Sequence, residues 1–236
     1  MSNKVQIWNI SLQIPSSELN SVQSRYWSCL SQDEKDRANR FRFPKDKRRF
    51  VIARGTLRYL LSRQFDQSPE AVTFCYGTYG KPSVKESLAG TQCDFHFNLS
   101  HSEEMALCVL GHDRKVGIDI EHLRPIERLD SLMKRTLVPH EQQAVESEQA
   151  ADQSRAFLQR WTCKEAYLKA IGLGLTRSMQ TVEVQLSPPK LLRVPERCAA
   201  GWRLHLIALP KDYVGALTVA GEVKITHHQW QHDVIA

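Results

Sequence analysis

The sequence lacks several features that would place the protein in a specialised class. No two of its cysteines form a C-x-x-C pair, so neither a zinc ribbon nor a redox dithiol is predicted. The six cysteines lie at positions 29, 75, 93, 108, 163 and 198. No window approaches ~18 uninterrupted apolar residues, so we expect no membrane-spanning helix. The N-terminus is too polar for the apolar core of a signal peptide, which predicts a cytoplasmic protein with reduced thiols.

Acidic residues are scarce in one stretch of the chain. Between Lys35 and Arg63 there are eleven lysines and arginines but only two acids, Asp36 and Asp46. This stretch carries nine net positive charges whereas the whole chain carries six, so the remainder is slightly acidic. The local excess indicates an anionic partner, which could be a nucleic acid, a phosphorylated small molecule or an acidic protein.

Hydrophobic periodicity predicts an α+β fold with two similar halves. Helical spacing of apolar residues marks one long helix over 47–64 and another over 153–172. Alternating segments predict strands, among them 5–14, 105–110 and 115–121, and the last two are expected to form a hairpin closed by GHDR. We therefore expect two halves related by a pseudo-twofold axis, 1–112 and 113–236, each a small antiparallel sheet packed on a long helix.

The polar C-terminus offers a possible metal pair. His228 and His232 are four residues apart in HHQWQH, a spacing that places two side chains on one helix face. Because the segment is terminal and polar, a frayed tail is the preferred interpretation.

Two acids stand side by side in the strand-like segment VGIDIE. Asp119 and Glu121 alternate with isoleucines, so both point to the same face, about 6–7 Å apart at Cα. Like charges in this arrangement repel each other unless a cation lies between them, and paired carboxylates suit a hard cation such as Mg²⁺. The alternative is a strand end with two solvated acids.

A third acid, Glu165, interrupts the apolar stripe of the second long helix. A carboxylate on such a face must be paired, bound to a metal or placed at a cleft. It could complete a metal site with the first two acids, or it could form an i,i+4 ion pair with Lys169. Together with Lys81, His101, Lys164 and the basic stretch, the three acids predict a metal–polyphosphate site.

Five motifs occur in an order that resembles the 4′-phosphopantetheinyl transferases. They are FRF with its basic helix (41–63), YGKP (79–82), FNLSH (97–101), VGIDIE (116–121) and WTCKEAYLKAIGLGL (161–175). The arrangement is similar to the Sfp-type branch, whose single chain contains two similar halves, and it covers roughly residues 5–220. The resemblance implies transfer of the phosphopantetheine arm of coenzyme A to a serine of an apo carrier protein, release of adenosine 3′,5′-bisphosphate, and a requirement for Mg²⁺ or Mn²⁺.

The resemblance also implies residue roles. Asp119, Glu121 and Glu165 would bind the metal, and Glu165, Lys169 and His101 would be catalytic, with Glu165 as the base for the carrier serine. The implied coenzyme ligands are Arg37, Arg54, Lys81, Ser100, His101, Lys164 and Lys169. The expected partners are acyl carrier proteins or peptidyl and aryl carrier domains, bound by a monomer. We expect the segment 132–138 to dock the carrier, with Met133 and Leu137 on its surface.

Two other functions are compatible with parts of the pattern. The basic stretch with Phe41, Phe43 and Phe50 is also typical of a single-strand nucleic-acid-binding module, although that interpretation leaves the acids unexplained. A metal-dependent phosphohydrolase could use the same three acids and would need no carrier protein.

Overall fold

Two β-sheets lie face to face at the centre of the molecule, and a long helix covers the outer face of each. The computed structural model describes residues 4–85, 94–173, 178–195 and 199–232. Cys93, Cys198 and positions 174–175 of the WTCKEAYLKAIGLGL segment lie outside the described residues.

Helices and strands alternate along the described chain in groups. The α-helices described are α1 (Leu19–Cys29), α2 (Gln32–Asn39), α3 (Pro44–Phe65), α4 (Leu129–Thr136), α5 (Pro139–Glu146) and α6 (Ala150–Ile171). The strands described are β1 (Lys4–Ser11), β2 (Phe74–Tyr76), β3 (Pro82–Val84), β4 (Phe95–Ser102), β5 (Met105–His112), β6 (Val116–His122), β7 (Glu183–Leu186), β8 (Pro189–Arg193), β9 (Trp202–Leu206), β10 (Tyr213–Ala220) and β11 (Lys224–Gln229).

The first sheet has the strand order β11-β1-β5-β4, and α3 packs on its outer face. Phe97 of β4 and Cys108 of β5 share one core with Leu57 and Leu61 of α3. The sheet is antiparallel except at its edge, where β11 pairs with β1 in the parallel direction. Because successive side chains of β4 and β5 point to opposite faces of the sheet, the face turned away from α3 is available to contact the second sheet.

The second sheet has the order β6-β10-β9 and is covered by α6. A Cβ atom on Gly117 of β6 would lie 2.1 Å from the carbonyl oxygen of Ala166, so glycine allows α6 to approach the strand closely. On the opposite face, Ile118 and Leu217 meet Leu107 and Val109 of the first sheet. The prediction of an α+β fold is confirmed.

The expected hairpin between 105–110 and 115–121 is wrong. Strand β5 is flanked by β1 and β4, so both of its edges are already paired. Strand β6 crosses to the second sheet and pairs with β10. The hairpin in this region is instead formed by β4 and β5, with Ser102 opposite Met105.

The expectation of a frayed C-terminus is also wrong. Strand β11 extends the first sheet. Trp230 is 3 % exposed and lies in the core between that sheet and α3. His232 accepts or donates a 2.6 Å hydrogen bond with the Tyr26 hydroxyl, and His228 stacks on Trp8. The two histidines therefore have structural partners, and they do not form a metal pair.

Burial contradicts the expectation that Met133 and Leu137 lie on the surface of a docking face at 132–138. Met133 is 3 % exposed and Leu137 is fully buried, and both belong to an apolar cluster with Phe157 of α6. Charged substitutions at these two positions would disrupt the core, so they cannot test docking. Among the described residues, no helix is long and apolar enough to cross a membrane.

Candidate active site

One face of α6 presents a carboxylate and an ammonium group to strand β6. Glu165 and Lys169 are four residues apart, so helix geometry places them on the same face. Glu165 is only 6 % exposed. The Lys169 ammonium reaches β6 and donates to Asp119 Oδ1 at 2.6 Å and to Ser100 Oγ at 2.8 Å.

The acids of β6 face this helix because the strand alternates. Gly117 packs under α6, and Asp119 and Glu121 point to the same side. Asp119 is 4 % exposed and accepts a 2.8 Å hydrogen bond from Ser100 Oγ of β4. Glu121 lies nearer the surface, where Ser102 Oγ donates to it at 3.0 Å and Arg124 at 3.4 Å.

The three carboxylates repel one another in a site where Asp119 and Glu165 are buried. Burial first, and the charge of Asp119 second, raise the pKa of Glu165 to about 7, although Lys169 opposes the shift. Burial and the same Asp119 charge also raise the pKa of Glu121. Asp119 Oδ2 and Glu165 Oε1 are buried oxygens without a hydrogen-bond partner in the described structure. Two unpartnered carboxylate oxygens in one site are the donor chemistry that a hard cation requires.

The acids are not closed around a common point. Among the residues that the structure describes, no group of three His, Cys, Asp or Glu side chains is arranged to hold a metal ion. Lys169 contributes to this, because its ammonium occupies Asp119 Oδ1. The carboxylate oxygens therefore suit a divalent cation, but in the described structure the three side chains are not gathered around one metal position.

Cations from the first half border the same site. His101 follows Ser100 on β4 and is exposed to solvent at the surface of the site. Desolvation of its ring, followed by the charges of Lys169, Arg49 and Arg37, lowers the pKa of His101. The shift favours the neutral imidazole, and the nearby positive charges contribute to it after desolvation of the ring.

Lys81 lies in the turn between β2 and β3 and reaches across to the second half. Its ammonium donates to the carbonyl oxygens of Ala170 at 2.9 Å and of Val116 at 3.3 Å. Burial, together with the charge of Lys115, lowers the pKa of Lys81 to about 8. A cavity of about 150 Å³, lined in part by Lys81, Asn98 and Lys169, joins this turn to the acid site.

Comparison with known proteins matches both halves of the chain. Residues 115–218 match the family model described as "4′-phosphopantetheinyl transferase superfamily", and residues 18–111 match "4′-phosphopantetheinyl transferase, N-terminal". The 4′-phosphopantetheinyl transferase HetI from Nostoc sp. is 38 % identical over 94 % of this chain and 90 % of its own length. The chain belongs to the 4′-phosphopantetheinyl transferase superfamily.

Two further proteins are similar over shorter stretches. The 4′-phosphopantetheinyl transferase Sfp from Bacillus subtilis is 27 % identical over 77 % of this chain and 77 % of its own length. A crystal structure of a holo-(acyl-carrier-protein) synthase from Bacillus anthracis, in complex with CoA (3′,5′-ADP), covers 45 % of this chain and 94 % of its own, at 28 % identity and a TM-score of 0.39.

In this phosphopantetheinyl transferase the structure does not bring Lys164 to the acid site. Its side chain is fully buried, and its ammonium lies 2.5 Å from Glu141 Oε2. It also donates to the carbonyl oxygens of Thr136 at 3.0 Å and Met179 at 3.3 Å. The prediction that Lys164 is a coenzyme ligand is therefore wrong, because its donors are engaged in the core of the second half.

Arg54 is likewise engaged away from the acids. Its guanidinium is 8 % exposed and forms a buried ion pair with Glu34 of α2, which also binds Arg58. It also donates to the Tyr76 hydroxyl at 2.9 Å and lies over the ring of Phe74. Arg54 thus ties α2 to the β2–β3 hairpin, and this bonding makes it a structural residue of the transferase.

Three residues of the site were missed in the sequence. Arg49 of α3 lies close enough to His101 to lower its pKa, and Glu103 and Glu104 hold its guanidinium at 2.6 and 2.7 Å. The basic stretch contains too many arginines for sequence alone to single it out. Asn98 and Ser102 of β4 contact β6, and their alternation with Ser100 was the available signal.

Proposed function

We propose that this chain transfers the 4′-phosphopantetheine group of coenzyme A to a serine of an apo carrier protein and releases adenosine 3′,5′-bisphosphate. The observation that carries the proposal is the meeting of Asp119, Glu121 and Glu165 with Lys169 and the Ser100–His101 pair. Family membership supports the activity, and the chemistry of these side chains supports the location. Asp119, Glu121, Glu165 and Lys169 come from the second half, whereas Ser100 and His101 come from the first, so the cleft between the halves is the proposed active site.

Asp119, Glu121 and Glu165 would hold a Mg²⁺ or Mn²⁺ ion. When bound, such an ion neutralises the negative charge that develops on the pyrophosphate during transfer. The buried unpartnered oxygens of Asp119 and Glu165 support this assignment, as do the raised pKa values of Glu121 and Glu165. These features come from carboxylates that are buried close to one another.

The cations would bind the phosphates of coenzyme A. Lys169 and Ser100 lie at the acids and are placed to contact the pyrophosphate, while His101 and Arg37 at the surface would bind the 3′-phosphate. Lys81, at the turn that faces Lys169 across the small cavity, would contact the nucleoside end. Phosphoryl transfer requires mainly positioning and charge neutralisation, which is what these residues can supply.

Glu165 is the proposed base for the carrier serine. With a pKa of about 7, it can accept the hydroxyl proton at neutral pH. The serine oxygen then forms a bond to the β-phosphorus, and the bond from that phosphorus to the bridging oxygen breaks. The leaving group is adenosine 3′,5′-bisphosphate, which keeps the bridging oxygen and its electron pair.

Several features of the organisation are also proposals. The division into 1–112 and 113–236 is supported by the two matched family regions, which meet between residues 111 and 115, but it does not hold for the C-terminal segment, because β11 and Trp230 pack in the first half. Because one chain supplies both sides of the cleft, we propose that it acts as a monomer. The thiols of Cys29, Cys108 and Cys163 are free and buried, which supports a reducing cytoplasmic environment.

The test is whether release of adenosine 3′,5′-bisphosphate depends on the carrier. The protein is incubated with coenzyme A and Mg²⁺, with and without an apo acyl or peptidyl carrier protein, and the released nucleotide is quantified by chromatography. A transferase releases it only when the carrier is present. Equal release without the carrier, accompanied by free phosphopantetheine, would instead identify a phosphohydrolase.

A further inference from the structure

The edge strands of the two sheets lie side by side without forming a ladder. In the described part of the chain, β4 pairs only with β5, and β6 pairs only with β10 and not with β4. Three alternate residues of β4, namely Asn98, Ser100 and Ser102, nevertheless reach β6 through their side chains. The residue numbers of the bonded partners rise together, from Asn98 with Ile118 to Ser102 with His122. The two strands therefore run in the same direction.

These side chains take the place of missing backbone partners. The amide N–H of Ile118 donates to Asn98 Oδ1 at 2.9 Å, and the amide N–H of His122 donates to Ser102 Oγ at 3.0 Å. Ile118 is fully buried and Asn98 is 7 % exposed, so water cannot readily replace that bond. Asp119 and Glu121 lie between these two attachment points, so the position of both carboxylates depends on them.

Ser102 makes a second contact with β6. Its hydroxyl donates to Glu121 Oε2 at 3.0 Å while it accepts from the neighbouring His122 amide. One oxygen of the first half therefore fixes both the strand that carries Glu121 and the carboxylate itself. The other described hydrogen bond to this carboxylate comes from Arg124, which is 55 % exposed and 3.4 Å away. Ser102 is therefore the less exposed of the two partners and makes the shorter hydrogen bond.

We propose that Ser102 is a positioning residue that orients Glu121 across the boundary between the halves and so sets the affinity for the divalent cation. The inference rests on the proposed function, in which Glu121 is one of the cation-binding carboxylates. Partners that orient metal-binding carboxylates typically change metal affinity or activity by about 10–100-fold when they are removed. Ser102 would act through Glu121 and would touch neither coenzyme A nor the carrier.

The test compares Ser102→Ala with the wild-type full-length protein by titration with Mn²⁺, followed by electron paramagnetic resonance. Ser102→Ala should raise the Mn²⁺ dissociation constant about tenfold. Its KM for coenzyme A at saturating metal should stay within about twofold, and the lost activity should return at high metal concentration. A merely structural serine would alter stability in urea without moving the metal titration.

Two further variants separate the hydroxyl from the shape of the side chain. Ser102→Thr keeps the hydroxyl. Ser102→Val has nearly the same shape as the threonine variant but no hydroxyl, so of these two only the valine variant should lose metal affinity. Ser11→Ala serves as a control, since this β1 hydroxyl donates to the Gln13 carbonyl and is not in contact with β6. Equal Mn²⁺ affinities for the wild type, Ser102→Ala and Ser102→Val would overturn the inference while leaving transfer intact. If the wild type neither binds Mn²⁺ nor modifies a carrier, the proposed function fails, and this inference fails with it.

Discussion

Replacing Glu165 with glutamine should stabilise the metal-free protein at pH 8 while removing its activity. Glu165 is 6 % exposed, and burial and the charge of Asp119 raise its pKa from 4.5 to about 7. At about 1.4 kcal/mol per pKa unit, the difference corresponds to about 3 kcal/mol of destabilisation when the group is charged. Glutamine has almost the same size without the charge, so it should recover most of this free energy of unfolding.

The sign of the pH dependence follows from the direction of the shift. The folded protein holds the Glu165 proton more tightly than the unfolded chain does, because its pKa is raised to about 7. The stability from the protonated form is therefore complete below the unfolded pKa of 4.5 and is lost as the pH rises through 7. The difference in stability between Glu165→Gln and the wild type should be small near pH 4 and complete by pH 8.

The assay is urea and thermal unfolding in the presence of a chelator. For a chain of this size, 3 kcal/mol corresponds to a rise in Tm of roughly 6–12 °C at pH 8. Added Mg²⁺ should reduce the difference in Tm between Glu165→Gln and the wild type, because the wild type has one more carboxylate that can bind the ion. Glu127→Gln, which changes an exposed acid, should leave the Tm nearly unchanged. A Glu165→Gln protein that is no more stable than the wild type at pH 8 would refute the argument that burial, together with repulsion from Asp119, makes the charged form of Glu165 unfavourable.

Three other substitutions test where particular side chains lie in the fold. Lys164→Met leaves the buried Glu141 carboxylate without its cation, so it should cost about 3–5 kcal/mol in urea unfolding, while the folded enzyme keeps its KM for coenzyme A. A large rise in KM without lost stability would instead make Lys164 a ligand. Lys81→Met removes an ammonium group whose pKa is about 8. Between pH 7 and pH 10 the free energy of unfolding of the wild type should therefore rise by about 2–3 kcal/mol relative to that of this variant. A pH-independent difference in urea unfolding would contradict the burial of this charge. Trp230→Ala should lower stability by about 3–5 kcal/mol, and a loss below about 1 kcal/mol would mean that the C-terminal segment is not part of the core.

Local patterns in the sequence were sufficient for the two long helices and for the shared face of the two acids on β6. The alternation in VGIDIE predicted that Asp119 and Glu121 share a face, and the structure turns that face towards α6. Helix geometry also explains why one lysine of the WTCKEAYLK segment reaches the acids and the other does not. Lys169 follows Glu165 by four residues and lies on nearly the same face, whereas Lys164 is offset by about 100°. That rotation turns Lys164 towards the core of the second half, where Glu141 binds it.

Long-range pairing was beyond the reach of these patterns. The alternation of β5 and β6 is compatible with a hairpin, and only the presence of β1 and β4 on both edges of β5 prevents it. Likewise, nothing local in HHQWQH indicates that β11 pairs in parallel with β1, more than 200 residues away. Buried ion pairs such as that of Arg54 with Glu34 were hidden for the same reason, since each charge alone looks like a surface residue.

The most direct measurement of the central claim is the mass of a carrier protein after incubation with this enzyme, coenzyme A and Mg²⁺. The account predicts that an apo acyl or peptidyl carrier gains the mass of one phosphopantetheine group at its serine. Glu165→Gln, folded and at the same concentration, should reduce the rate by about 100-fold or more. An unmodified carrier across several carrier classes would contradict the proposed transfer. Full activity of the Glu165→Gln protein would contradict the site that we assign to it.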